Sequence, residues 1–161
     1  MARLTATEVV ARLGLKPLPG EGGWFTETYR GPVPAPNLNC SIGTAIYYLI
    51  DNSSYSALHQ LPKDEVYHFY LGDSVDLHLL TQDGSLEIVR LGPDLAGGEL
   101  PQAVVPAGVW QGSRLAPGGD WALLGTTVHP GFEFTDLRLA DAALLKQFPQ
   151  HRASLEPLLP R

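Results

Sequence analysis

Apolar and polar residues alternate with a period of two along most of this chain, in short runs separated by turn residues. That is the pattern of strands with one buried face. Runs at 24–30, 41–50, 55–61, 65–71, 75–80, 86–91, 102–105, 109–115, 122–128 and 132–138 read as strands. Asp83-Gly84 supplies the positive φ of a tight hairpin, Pro117-Gly118-Gly119-Asp120 forms another turn, and 32–37 is a proline-rich loop. The 17 glycines and 14 prolines fit many turns better than long helices. Helical periodicity is confined to the two ends. Thr5 and Glu8 have capping-box spacing, with Leu4 and Val9 at the staple positions and Gly14 placed to end the helix. Asp141 caps a second segment carrying Leu144, Leu145 and Phe148 before Pro149 stops it, and a last turn over 152–159 packs back on the sheet. Ten short strands at regular spacing predict an all-β jelly roll, a barrel or two-sheet sandwich, with short flanking helices at both termini.

Alternation also decides which side chains share an interior. On 65–71, Glu65, Tyr67, Phe69 and Leu71 share one face, and Val66, His68 and Tyr70 the other. His59 lies with Ala57 and Leu61; Gln111 lies with Val109, Ser113 and Leu115. If Glu65 points inward, one cavity collects His59, Glu65, Tyr67, Phe69 and Gln111, while His68 and Trp110 face out beneath a helix or a partner. Thr44 and Tyr48, on one face with Ile46, line its floor, and Glu133 approaches its opening. His78, His129 and His151 read as surface or turn histidines.

Length and charge narrow the function classes. A chain of 161 residues makes one domain, 1–161. With 17 acidic against 11 basic residues the net charge is -6, which argues against nucleic acid and anionic membrane as partners. Cys40 is alone, so no internal disulfide forms, and its position before an apolar run predicts a buried thiol. No signal-peptide core and no membrane-spanning run is visible, so the expected location is cytoplasmic.

Two segments carry the chemistry: His59-x5-Glu65-x6-Gly72, and Pro106-Ala107-Gly108-x2-Gln111. Their wording resembles the cupin superfamily. The blocks Glu21-Gly-Gly-Trp-Phe-x-Glu-Thr-Tyr-Arg30, Thr44-Ala-Ile-Tyr-Tyr-Leu49, Asp64-Glu-Val-Tyr-His-Phe-Tyr-Leu-Gly-Asp73, Val105-Pro-Ala-Gly-x-Trp-Gln111 and Pro130-Gly-Phe-Glu-Phe134 resemble, in order, the small one-domain Cupin_5 family, formerly DUF985. The resemblance implies a cupin barrel, a homodimer, and an architecture similar to that of the sugar-nucleotide epimerase cupins, which work without metal. It also implies a metal set of two histidines and a glutamate in the first segment and a third histidine in the second. Here His59 and Glu65 keep their places, but Leu61 stands at the second histidine position and Gln111 at the third. A neutral amide oxygen suits transition metals poorly, so no cofactor is expected; any metal would fall to His59, Glu65 and Gln111.

Three functions follow as expectations. The first is binding of a polar small molecule, sugar- or nucleotide-like, through Thr44, Tyr48, Phe69, Gln111 and Glu133. The second is a metal-independent isomerase or epimerase, with His59, oriented by the carboxylate of Glu65, as base and Tyr67 or Tyr48 as acid. The third is a metal-dependent enzyme with the incomplete set. A partner chain adding to the edge of the 24–30 strand would remove an exposed sheet edge.

Overall fold

The period-two runs become eleven strands in two antiparallel sheets packed face to face. The structure, a computed structural model, describes residues 3–161. The larger sheet runs in the order β1 (Lys16–Pro17), β2 (Trp24–Arg30), β3 (Thr44–Asp51), β10 (Trp121–His129), β5 (Asp64–Gly72), β8 (Gln102–Val105). The smaller runs β11 (Arg138–Leu139), β4 (Ser56–Gln60), β9 (Trp110–Leu115), β6 (Val75–Leu80), β7 (Leu86–Leu91). From β3 onward the chain crosses between the sheets at every step except the β6–β7 hairpin, the jelly-roll arrangement expected from the spacing. Among the described residues no helix is long and apolar enough to cross a membrane.

The space between the sheets has an apolar part and a polar part, with Tyr48 and Tyr67 touching both. The apolar part is filled by Ile50, Val75, Leu77, Leu91, Ala122 and Leu124 with Phe69 packed against them. The polar part holds Glu65, Tyr67, His59 and Tyr48. Two outer clusters close the remaining faces. The helix α1 (Ala6–Leu13) lays Val9 on the outer face of the larger sheet, against Leu49, Trp121 and Leu123. Its capping box forms as expected: Thr5 Oγ1 accepts from the Glu8 amide while Glu8 Oε2 accepts from the Thr5 amide at 2.8 Å, and Gly14 ends it at φ 64°. At the other end α2 (Ala142–Gln147), α3 (Arg152–Leu155) and the 3-10 turn Glu156–Leu158 bury Leu144, Leu145, Leu155 and Leu158 on Leu58, Leu80 and Trp110. Trp110 thus faces outward beneath a helix, with the Arg138 guanidinium over its ring at 5.1 Å.

Several local expectations change. The strand expected over 132–138 is a coil with a single 3-10 turn, Phe134–Asp136, and only Arg138 and Leu139 pair. Its backbone is tied to side chains instead: Lys63 Nζ donates to Gly131 O, and Thr44 Oγ1 accepts from Phe132 N. Pairing of β3 begins at Thr44, with Ser41 making only an isolated bridge to Pro34. His78 is not at the surface. It is buried on β6, its Nδ1 3.3 Å from Asp76 O and its Nε2 without a partner; burial, with Arg114 nearby, holds its pKa below the ordinary value. Cys40 is half-buried in a loop rather than fully enclosed.

Three β-bulges interrupt the alternation and decide the faces. On β5 the register slips at Tyr70, so Leu71 leaves the Glu65 face and joins Leu123 on the outside. On β4 the slip between Ser56 and His59 puts Ser56, not Ala57, on the inner face, because the Ala57 amide is drawn off to Glu21 O at 2.6 Å. On β2 the slip falls at Thr28, so Glu27 and Arg30 share the inner face although they are three apart.

Candidate functional site

The polar part of the interior is a cavity of about 60 Å³ lined by Glu21, His59, Glu65, Tyr48 and Tyr67 at depth. Phe25, Glu27, Arg30, Phe132 and Phe134 stand among the residues of its wall and mouth. His59 and Gln111 are cross-strand partners on the smaller sheet; Glu65 comes from β5 of the larger one, opposite Val105 and Val128. Imidazole, carboxylate and amide thus converge from β4, β5 and β9. Gln111 Nε2 donates to Glu65 Oε2 at 2.7 Å. The amide must point its nitrogen there, since the opposite orientation would set two acceptors against each other. Its Oε1 is then left buried without a partner, as is Ser113 Oγ two residues on. Gln111 stands behind Glu65 and does not itself line the cavity.

Glu21 is the group that alternation could not reveal. It lies in the loop between β1 and β2, held by the Gly22 amide donating to Leu18 O and by Ala57 N donating to Glu21 O. Its Oε1 accepts from Ser56 Oγ at 2.8 Å and lies 3.9 Å from His59 Nδ1. On the other side of the ring, His59 Nε2 is 3.9 Å from Glu65 Oε2. At that separation the pairing is charge attraction rather than a direct hydrogen bond.

These distances favour the protonated form of His59. Its Nδ1 donates to Ala57 O at 2.8 Å. A neutral ring would then turn a bare Nε2 lone pair toward a carboxylate, whereas the imidazolium offers a proton to acceptors on both sides. Burial alone would depress this pKa, but the charges of Glu21 and then Glu65 overcome it and raise the group from 6.5 to about 9. Burial raises Glu21 above the ordinary carboxyl range, and the adjacent imidazolium opposes that rise. Burial likewise pushes the phenols of Tyr48 and Tyr67 well above theirs, with both carboxylates adding to the effect, so both remain protonated donors. Tyr48 donates to Gly22 O at 3.0 Å, which ties it to the loop carrying Glu21.

Of the residues named from sequence, His59, Glu65, Tyr67, Thr44 and Tyr48 line the cavity and Gln111 supports it. Phe69 faces inward but sits in the apolar part. Glu133 lies at the mouth, paired to Arg30. Glu21, Ser56, Glu27 and Arg30 were not foreseen. The signals available were the two glycines after Glu21 and the charged pair in β2, but only the loop path and the bulges turn these side chains inward.

A two-sheet antiparallel sandwich with one acid-imidazole cavity between its sheets defines the class as a cupin-type jelly roll. The chain belongs to the Cupin superfamily (DUF985) family Cupin_5, whose model matches residues 7–140. It is similar to the uncharacterised protein YML079W of Saccharomyces cerevisiae, 32% identical over 133 residues, or 72% of this chain and 66% of that protein's length. Among solved structures, protein SO0799 from Shewanella oneidensis superposes with a TM-score of 0.91 at 34% identity, covering 99% of this chain and all of the other. A hypothetical protein from Leishmania major gives 0.90 at 31% identity, covering 98% and 100%.

The side chains here do not fit a cupin metal. Leu61 has no donor atom, and the Gln111 amide turns its nitrogen rather than its oxygen toward the site, so two of the four ligand positions cannot serve. Among the described residues no three His, Cys, Asp or Glu side chains are grouped so as to hold an ion.

Proposed function

We propose that the chain binds a small polar molecule, sugar- or nucleotide-like, with one polar head in the cavity. The observation that carries this reading is the convergence of Glu21, His59, Glu65 and two phenols on one opening enclosed by apolar walls. About 60 Å³ admits roughly the space of two waters, so a hydroxyl, carbonyl or amino head enters and the rest of the molecule lies in the mouth. Phe25, Phe132 and Phe134 offer ring faces there, with the last two edge-to-face at 5.1 Å. A second copy of the chain on the free outer edge of β2 belongs to the same reading: β1 pairs only with Trp24 and Phe25 and leaves 26–30 open. Native mass spectrometry of the gently purified protein reads both points. The expected result is a two-chain mass carrying a small polar adduct that Glu65→Leu loses. A bare single-chain mass in both proteins, with no adduct after incubation with sugars and nucleotides, would end the reading.

One further feature favours turnover by proton transfer. His59 on the smaller sheet faces Tyr48 and Tyr67 on the larger across the same space. In that case the C–H bond beside a substrate carbonyl breaks, its proton goes to a carboxylate such as Glu65, and the electron pair forms an enolate. Tyr67 or the His59 imidazolium then donates a proton to the enolate oxygen. The protonated state of His59 suits it to donating rather than to the base role expected from sequence. Keto-sugars incubated in deuterated water should gain solvent deuterium at the carbon beside the carbonyl, and Glu65→Gln should stop it. Wild-type protein that exchanges nothing would remove this second reading.

A further inference from the structure

Arg30 stands at the cavity mouth for a reason that regular strand pairing cannot supply. In an unbroken strand Glu27 and Arg30 would face opposite sides of the sheet. The bulge at Thr28 returns Arg30 to the inner face, opposite Thr44, while Tyr29 turns out to solvent. Bulges next to binding sites re-aim side chains in this way. Among the residues lining the cavity Arg30 is the one lysine or arginine; the other charged groups there are Glu21, Glu27, Glu65 and the His59 imidazolium.

Its guanidinium donates to Phe132 O at 3.1 Å and is held by two carboxylates in unequal ways. Glu27, from the same strand, takes both Nε at 3.0 Å and Nη2 at 2.9 Å, a two-point grip that orients the fork. Glu133, from the coil after Pro130, takes only Nη1, at 2.6 Å. Glu133 is 37% exposed and makes no capping bond to the turn that it precedes. The coil around it does not depend on it, because Lys63 holds Gly131 and Asp136, and Thr44 holds Phe132. The two carboxylates are equally exposed, at 38% and 37%, so the difference lies in the grip: Glu27 orients the arginine through two bonds, and Glu133 adds a single contact from a separate segment.

We infer that Arg30 is the anion seat of the cavity and that Glu133 occupies it until a ligand's own oxyanion displaces it. This rests on the reading that the cavity takes a small molecule, and it deepens that reading. The ligand carries a carboxylate or phosphate at the end left outside, with its neutral polar head inside, since Glu21 and Glu65 repel an anion at depth. Displacement exchanges one charge-assisted contact for another, so the seat discriminates by shape and reach more than by raw affinity.

Inorganic phosphate and acetate are the probes, titrated calorimetrically against this chain and each variant, with the Arg30 side-chain Nε–H followed by NMR wherever Arg30 is present. Glu133→Gln should bind one of these anions about tenfold more tightly than wild type, and the better binder identifies the oxyanion. Adding Arg30→Gln to that variant should abolish the gain, with unchanged thermal melting showing that the coil stays in place. No gain in Glu133→Gln, or a gain that survives loss of Arg30, overturns the seat. The two readings fail separately. An adduct lacking any oxyanion refutes the seat and leaves the cavity function standing. Anion binding at Arg30 in a protein whose cavity never takes a molecule does the reverse.

Discussion

Unfolding by urea should show the protein losing about 3 kcal/mol of stability as the pH rises from 6.5 to above 9, with His59 as the origin. The imidazolium has an ordinary pKa of 6.5 in the unfolded chain and about 9 between its two carboxylates. A group whose folded pKa lies above its unfolded one binds its proton more tightly in the native state. Its contribution is complete below pH 6.5, where both states are charged, and fades as the native state is forced to release the proton near pH 9. The Glu21 charge is the largest single cause of the rise, with Glu65 acting through both its contact with Nε2 and its charge, so Glu21→Gln should shift the alkaline loss toward lower pH and shrink it. The His59 ring protons, followed by NMR across the same range, give the pKa directly. A ring that titrates near 6.5 in the wild type, or a stability profile that Glu21→Gln leaves unmoved, would dismantle the charge arrangement on which the site is built.

The parts of this site that the sequence disclosed are those governed by strict alternation. Glu65 and Tyr67 are two apart on a regular stretch of β5, and His59 and Gln111 are placed by their distances from Gly72 and Gly108; all four fall where a period of two puts them. The capping box of α1 was legible for a related reason, because it is satisfied by atoms three residues apart. What stayed hidden depends on register slips. Each bulge inserts one residue that no periodicity announces, and each changes the site: Ser56 in place of Ala57, Arg30 turned inward, Leu71 turned outward. The strand expected over 132–138 failed differently. Its apolar pattern is real, but Phe132 and Phe134 serve the cavity mouth instead of a sheet face, and Arg30, Thr44 and Lys63 satisfy the backbone that a neighbouring strand would have paired. Fold-level pattern survives such local rewiring because the buried apolar set of the two sheets is large. A site made of a few polar groups does not survive it, since one slip exchanges its members.

Gly23→Ala should cost roughly 2–4 kcal/mol and should unseat the acid cluster along with the fold. Gly23 has φ 70°, and a Cβ there would lie 2.6 Å from the Tyr48 hydroxyl, 2.8 Å from its Cε2 and 2.8 Å from Leu49 O. Neither neighbour can yield cheaply. Leu49 O belongs to the central β3, and the Tyr48 ring is fully buried and bonded through its hydroxyl to Gly22 O. The substitution therefore pushes the loop away from β3, and Glu21, two residues earlier, moves with it. Gly14→Ala separates the two contributions. That residue also has positive φ, 64°, but nothing lies within 4 Å of the added methyl, so its cost is the left-handed backbone alone, about 1 kcal/mol. The difference between the two variants in urea unfolding measures the close approach. The His59 ring reports on the site: in Gly23→Ala its pKa should fall from about 9 toward the ordinary value as Glu21 withdraws, while Gly14→Ala leaves it in place. Equal destabilisation by both variants, or an unshifted His59 in Gly23→Ala, would mean that the loop does not brace Glu21 against the ring.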